Sequence, residues 1–238
     1  MTRLDVLVTR SGLAESRERA QALILAGKVR VAGETVRRPD RTVSDDAAIS
    51  VEPGPAYASR GAFKLAGALD TFGVDPSGRI CADIGASTGG FTDVLLRRGA
   101  ARVYAIDVGR GLLHWRLRQD PRVVVIERLN ARELESFPEP VALAVVDVSF
   151  IGLEKVLPAL RRAAPQAEVV ALFKPQFQVA RGEVGKGGIV RDPDAVDAAL
   201  QRFREWCAGN GYAVRAEAPS ALPGAEGNRE IFVYLLPQ

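Results

Sequence analysis

A doubly wound α/β domain behind a small α+β unit is the fold this sequence predicts, and three observations lead to it. From residue 61 onward, near-continuous apolar runs alternate with helix-like stretches, the pattern of a parallel sheet covered on both faces. A glycine-rich turn follows the first of these runs, where such a sheet brings backbone amides toward a ligand. Before them lies Glu52-Pro53-Gly54-Pro55, whose two prolines and one glycine oppose both helix and sheet. The expected organisation is a unit over residues 1–52, a linker over 53–60 and a main domain over 61–238. A length of 238 residues suits one large domain with a small one appended.

In the first unit Leu4, Leu7 and Val8 stand at helical spacing, Ser11-Gly12 interrupts, and the pattern resumes at Ala20, Leu23 and Ile24. Two short helices are expected, the second capped by Ser16 and closed by Gly27. Val29-Arg30-Val31 and Thr35-Val36 then flank Ala32-Gly33 as a hairpin would. In the main domain the strand candidates are 80–84, 103–106, 123–126, 143–146 and 169–173, with helical patterns between most of them. The last two, 213–217 and 230–236, lack an intervening helix and are expected to form an antiparallel pair at the end of the sheet.

Composition sets limits on function. Hydrophobic residues at 47% and charged residues at 26% describe a globular chain, and the net charge of +3 is too small to decide on a polyanionic partner. Cys81 and Cys207 are far apart and His114 is the single histidine, so neither a disulfide framework nor a cysteine/histidine zinc site is expected. No metal is called for. Residues 1–8 lack an apolar signal core and no run approaches the ~18 apolar residues of a membrane span, so the expected place is the cytoplasm, away from membranes.

The turn at 83–92, Asp-Ile-Gly-Ala-Ser-Thr-Gly-Gly-Phe-Thr, follows a strand and opens a helix. Gly85 and Gly89 let the main chain approach a cofactor, and Asp107, closing the second strand, can accept both hydroxyls of an adenosine ribose. A dinucleotide fingerprint would need glycine at Ser87, and a phosphate loop would need a lysine. Gly85-Ala86-Ser87-Thr88-Gly89 matches the nucleophile elbow of hydrolases, but that triad needs a histidine after its acid, and none follows Asp147. Asp83, at the base of the loop, suits a cofactor with an amino-acid moiety, so S-adenosylmethionine is favoured. A tight turn without a ligand stays open at this stage. Methyl transfer from a sulfonium needs alignment more than covalent chemistry, which agrees with a chain holding one histidine.

Outside the loop, Asp147 and Lys174 end the fourth and fifth strand candidates, at the carboxyl edge where ligands bind. Lys64 lies on a short helical stretch and Glu230 begins the last strand candidate. Each could equally be a solvated side chain or half of a surface ion pair.

The motifs together resemble the TlyA family of ribosomal RNA 2′-O-methyltransferases, long labelled haemolysins. Their catalytic domain is FtsJ-like and Rossmann-like, and an S4 RNA-binding domain precedes it. The carriers are 59–65, 83–92, 107–109, 127–132, 147–151, 174–177, 185–192 and 227–230, with Arg3-Leu4-Asp5, Ser16-Arg17-Glu18 and 27–31 in the first unit. The resemblance implies a catalytic tetrad of Lys64, Asp147, Lys174 and Glu230. It implies cofactor contacts from Gly85, Ser87, Gly89, Asp107 and Asp147, with Asn130 near the adenine. Gln178 and Ala62 depart from the family's usual glutamate and glycine.

In that frame Lys174 deprotonates or orients the ribose hydroxyl while Lys64, Asp147 and Glu230 hold it in line. The target would be a cytidine of ribosomal RNA within a ribosomal subunit, the large one or both. Arg3, Arg10, Arg17, Arg19, Lys28 and Arg30 would meet RNA phosphates, interleaved with Asp5, Glu15, Glu18 and Glu34. A rival is a ribosome-assembly factor that binds RNA through an inactive methyltransferase domain. A membrane-lytic protein finds no support in the sequence.

Overall fold

The structure is a computed structural model that describes residues 1–52, 57–224 and 226–238. The chain divides into two compact units, Met1–Ala56 and Tyr57–Gln238. Of the linker expected over 53–60, residues 53–56 lie outside the described residues. Residues 57–60 belong to the second unit, because the Ala58 amide donates to the Asp93 carboxylate at 2.9 Å and ties the segment down.

The first unit runs β1 (Thr2–Arg3), α1 (Leu4–Arg10), α2 (Arg17–Leu25), β2 (Val29–Val31), β3 (Glu34–Val36), β4 (Thr42–Val43) and β5 (Ile49–Val51). The Ser16 hydroxyl accepts from the Arg19 amide at 3.1 Å, capping α2. β2 and β3 form the expected hairpin, turning at Ala32 and Gly33 with φ of 50° and 86°. Positive φ at both turn positions matches the twist of the flanking strands. β5 pairs with the other side of β2, and β1 pairs with β4. These three strands escaped the sequence reading because two or three residues are too few to show alternation. Leu4, Val8, Ala20, Ile24 and Val29 form the core of this unit.

The second unit continues with α3 (Gly61–Phe72), β6 (Ile80–Ile84), α4 (Gly90–Arg97), β7 (Arg102–Asp107), α5 (Trp115–Arg118) and β8 (Val123–Glu127). It ends with β9 (Leu143–Val146), α6 (Leu157–Ala163), β10 (Glu168–Phe173), α7 (Pro193–Gly209), β11 (Tyr212–Pro219) and β12 (Ile231–Pro237). One seven-stranded sheet has the order β11-β12-β10-β9-β6-β7-β8. β6 to β10 are parallel, and β12 is antiparallel to both β10 and β11, as expected for the final pair.

Both faces of the sheet are covered. Leu65 and Leu69 of α3, Leu95 of α4 and Leu117 of α5 pack on one, while Leu157 and Leu160 of α6 with Phe203 and Cys207 of α7 pack on the other. Each buried side chain of leucine size contributes roughly 1.5–3 kcal/mol, so the helices have little freedom to shift. The chain winds from β6 through β7 to β8 on one side, then crosses back to β9 and β10. The crevice this leaves is at the carboxyl ends of β6 and β9, where the Asp147 amide donates to the Ile84 carbonyl at 2.9 Å.

Candidate active site

Gly85 leaves β6 with φ of +86°, and its amide and that of Ala86 donate to the Ile106 carbonyl at 2.8 and 3.0 Å. A Cβ at Gly85 would strike the backbone carbonyl of Asp147. Gly89 caps α4 in the left-handed region at φ of +92°, and a Cβ there would stand 2.7 Å from Leu113 Cδ1. The sequence reading attributed both glycines to a close approach by a ligand. The chain's own packing already demands them.

Asp107 braces the loop. Its two oxygens accept from the Ser87 amide and the Gly109 amide, each at 2.7 Å, and hold Ser87 at a positive φ of 48°. Each carboxylate oxygen keeps a further lone pair for a ligand hydroxyl. Asp83 differs from expectation. It is wholly buried, its Oδ2 accepts from the Thr92 hydroxyl at 2.6 Å, and among the described residues its Oδ1 has no partner. Burial pushes its carboxyl up to about 7, with the Asp147 and Asp107 charges adding and the Thr92 bond opposing. The expected contact with a cofactor ammonium is therefore corrected to an internal brace, since the loop above covers the carboxyl.

In front of the loop lies a cavity of about 720 Å³. Gly85, Ser87, Asp107, Asn130 and Asp147 line it, five of the seven expected cofactor contacts, while Asp83 and Gly89 stand behind its wall. Val108, Leu112, Leu129 and Ile151 add an apolar surface. The volume lies within the range of small-molecule sites, and the mixture of carboxylates, an amide side chain and aliphatic walls fits an adenosyl amino acid. Among the described residues no cluster of histidine, cysteine, aspartate and glutamate could hold a metal.

The four expected catalytic residues form two ion pairs. Lys64 Nζ lies 2.5 Å from Glu230 Oε2, both side chains under 10% exposed, and Lys174 Nζ lies 2.6 Å from Asp147 Oδ1. Lys174 also donates to the Ser149 hydroxyl at 3.0 Å. The β10–β12 ladder ends at Phe173 opposite Ile231, so Lys174 and Glu230 occupy the next register positions and face one another across the strand ends. Asp147 ends the neighbouring β9. Strand register brings Asp147, Lys174 and Glu230 together, and the placement of α3 adds Lys64, 166 positions before Glu230 in the chain.

Phe150 was missed by the sequence reading. It lines the cavity with φ of 67°, its side chain is 92% exposed, and its ring lies 5.6 Å from that of Phe177. An apolar residue beside a strand end reads as core, and nothing in its spacing marks a strained, solvent-facing ring. Ser149, Arg132 and Lys155 on the cavity wall were missed as well, because each reads as an ordinary surface side chain.

In the first unit all six expected RNA contacts are exposed, but four already have partners. Arg3 and Arg17 both bond to the buried Asp5, Arg10 pairs with Asp45 and Arg30 with Glu52. The Arg3 bonds hold the Asp5 carboxyl well below the usual carboxylate range, with help from Gln21 and Arg17.

A doubly wound sheet, a glycine loop at its switch point and an acid closing the second strand are the frame of a nucleoside-cofactor enzyme, and the match of residues 57–236 to the FtsJ-like methyltransferase family makes that cofactor S-adenosylmethionine. Residues 2–49 separately match the S4 domain. The chain is 50% identical to the 16S/23S rRNA (cytidine-2′-O)-methyltransferase TlyA of Mycobacterium tuberculosis, over 99% of this chain and 90% of that protein. It is 41% identical to Hemolysin A of Brachyspira hyodysenteriae, over 98% of this chain and 99% of that one. A solved hemolysin-labelled structure from Streptococcus thermophilus superposes with a TM-score of 0.75 at 39% identity, covering 100% of this chain and 88% of that one. The chain belongs to the TlyA family of methyltransferases.

Proposed function

We propose that this enzyme methylates the ribose 2′-hydroxyl of a cytidine in ribosomal RNA, acting in the cytoplasm on a ribosomal subunit, with the large one as first candidate. The observation that carries this is the double ion pair Lys64–Glu230 and Lys174–Asp147, whose Asp147 also lines the cofactor cavity. The Mycobacterium tuberculosis relative is named a 16S/23S rRNA (cytidine-2′-O)-methyltransferase, and a Campylobacter jejuni relative, 36% identical over 76% of this chain, a 23S rRNA (cytidine-2′-O)-methyltransferase. Residues 1–52 serve as the RNA-binding domain and 61–238 as the catalytic domain.

Bound S-adenosylmethionine supplies an electrophilic methyl group. Lys174 meets the ribose hydroxyl, orients its oxygen and stabilises the negative charge that develops there. Asp147 and Ser149 hold the lysine head in place, and as the oxygen–methyl bond forms and the sulfur–methyl bond breaks, Lys174 passes one of its protons to the Asp147 carboxylate and takes up the hydroxyl proton. Lys64 and Glu230, more deeply buried, fix the neighbouring wall. Phe150 offers a free ring face on which a base turned out of its stack can lie. In the first unit, Arg3 and Arg17 keep their outer N–H groups for phosphate oxygens while Asp5 fixes their orientation.

Incubation with labelled S-adenosylmethionine and undermodified ribosomal subunits, followed by mapping of ribose methylation, tests the reading. Incorporation at a cytidine 2′-oxygen is expected. Tight RNA binding with no incorporation would instead make the protein an assembly factor.

A further inference from the structure

The connection from β10 to α7 leaves the strand end at Lys174 and has a glycine-rich tip, Gly185-Lys186-Gly187-Gly188. The tip is folded on itself, with the Gly185 amide donating to the Ile189 carbonyl at 3.0 Å and the Gly188 amide to the Gly185 carbonyl at 3.1 Å. Gly187 and Gly188 have φ of +78° and +76°, a region that side-chain-bearing residues resist. A Cβ at either would meet nothing within 4 Å. Unlike Gly85 and Gly89, these glycines answer to no packing within the chain. They hold a backbone shape whose outer side is open.

That shape is pinned from below. Asn228 is 1% exposed, its side-chain oxygen accepts from the Val190 amide at 2.9 Å, and its nitrogen donates to the Gly188 carbonyl at 2.8 Å. A buried amide two residues before Glu230 is thus committed to positioning an exposed tip. Lys186 is exposed at that tip, with exposed Arg191 and Arg229 flanking the clamp. Of the neighbouring acids, Glu183 accepts from the Ala180 amide and Asp192 from the Asp194 amide, and Glu226 is exposed.

We propose that residues 185–188 form a phosphate-binding site for the RNA strand that carries the acceptor ribose, with Asn228 as the residue that positions it. The Lys186 ammonium supplies the charge, and the bare backbone of Gly187 and Gly188 is the surface a phosphate group approaches. Clamping by Asn228 sets this contact at a fixed distance from Glu230, so that holding the phosphate also places the ribose. The site rests on the RNA reading given above.

The test uses the full chain and transcribed large-subunit ribosomal RNA, with affinity measured as a function of salt. Lys186→Ala is expected to weaken binding about fivefold and to lower the salt slope by roughly 0.7–0.9, the loss of one phosphate contact. Gly187→Ala, made in open space, is expected to weaken binding in the same direction by refolding the tip. Asn228→Ala is expected to raise the KM for RNA and to lower kcat as the ribose loses its alignment, with cofactor affinity kept. Wild-type affinity and slope in both Lys186→Ala and Gly187→Ala would overturn the site, and lost cofactor affinity in Asn228→Ala would reduce that residue to a structural one. Failure of the functional reading is separate, since it would appear as wild-type protein that transfers no methyl group to RNA.

Discussion

Replacing Asp83 by asparagine tests whether the base of the cofactor loop is held by a neutral acid. The carboxyl is wholly buried, and its proton is lost near 7 in the folded protein against 3.8 in the unfolded chain. A raised acid pKa means that the folded state holds the proton longer, so stability is highest below the unfolded value and falls as pH rises toward the folded one. Linkage gives about 1.4 kcal/mol for each unit of difference, so the full effect is roughly 4 kcal/mol. Between about pH 5 and about pH 8 the wild type should lose roughly 2–3 kcal/mol from this group alone. Asparagine accepts the Thr92 bond and does not titrate, so Asp83→Asn should lack this component. Urea denaturation of both proteins across that pH range gives the difference directly, free of groups common to both. A difference that stays constant with pH would refute the neutral-acid assignment.

Lys174→Ala should lower methyl transfer to RNA at least about a hundredfold while the protein still binds cofactor, as radiolabel incorporation and calorimetry would show. Lys64→Ala should lose activity and also about 3–5 kcal/mol of stability, because it strands the buried Glu230 carboxylate, and a melting curve separates the two cases. Phe150→Gly should raise stability by about 1 kcal/mol through relief of the left-handed backbone, yet raise the KM for RNA. Gly85→Ala should cost about 2–4 kcal/mol, from positive φ together with collision with the Asp147 carbonyl, and abolish cofactor binding in calorimetry.

The sheet was legible because its strands are buried on both faces, and uninterrupted runs such as 143–146 and 169–173 need no partner to be recognised. Lys174 and Asp147 were legible for the same reason, as charges ending apolar runs. What could not be read was the pairing. Which lysine meets which acid depends on the β10–β12 register and on where α3 is placed, and both are set by contacts distant in sequence. Phe150 stayed hidden because its significance lies in φ and exposure rather than residue type. Asp83 was placed correctly at the loop base, but its burial depends on Thr92 and on the cover of the loop, which no local pattern expresses.

The two ion pairs differ in a way that bears on the roles proposed for them. A pair with both members buried beside each other is fixed by its surroundings, and removal of either partner strands a charge, so Lys64–Glu230 belongs to the wall. Lys174 and Asp147 are less enclosed, at 11% and 25% side-chain exposure, and Asp147 also borders the cofactor cavity. Under the proposed mechanism the group that meets a hydroxyl arriving on a large RNA has to remain reachable, and the second pair is the more exposed of the two, chiefly at Asp147. The register of β10 against β12 sets the two pairs side by side, so the rigid one limits where the reachable one can go. An enzyme of this design needs no histidine at its reacting centre, and the single His114 caps α5 instead, accepting from the Arg116 amide. If alignment of the hydroxyl with the methyl group carries most of the rate, as the proposed mechanism requires, small displacements of Lys174 should matter more than the loss of any one hydrogen bond to it.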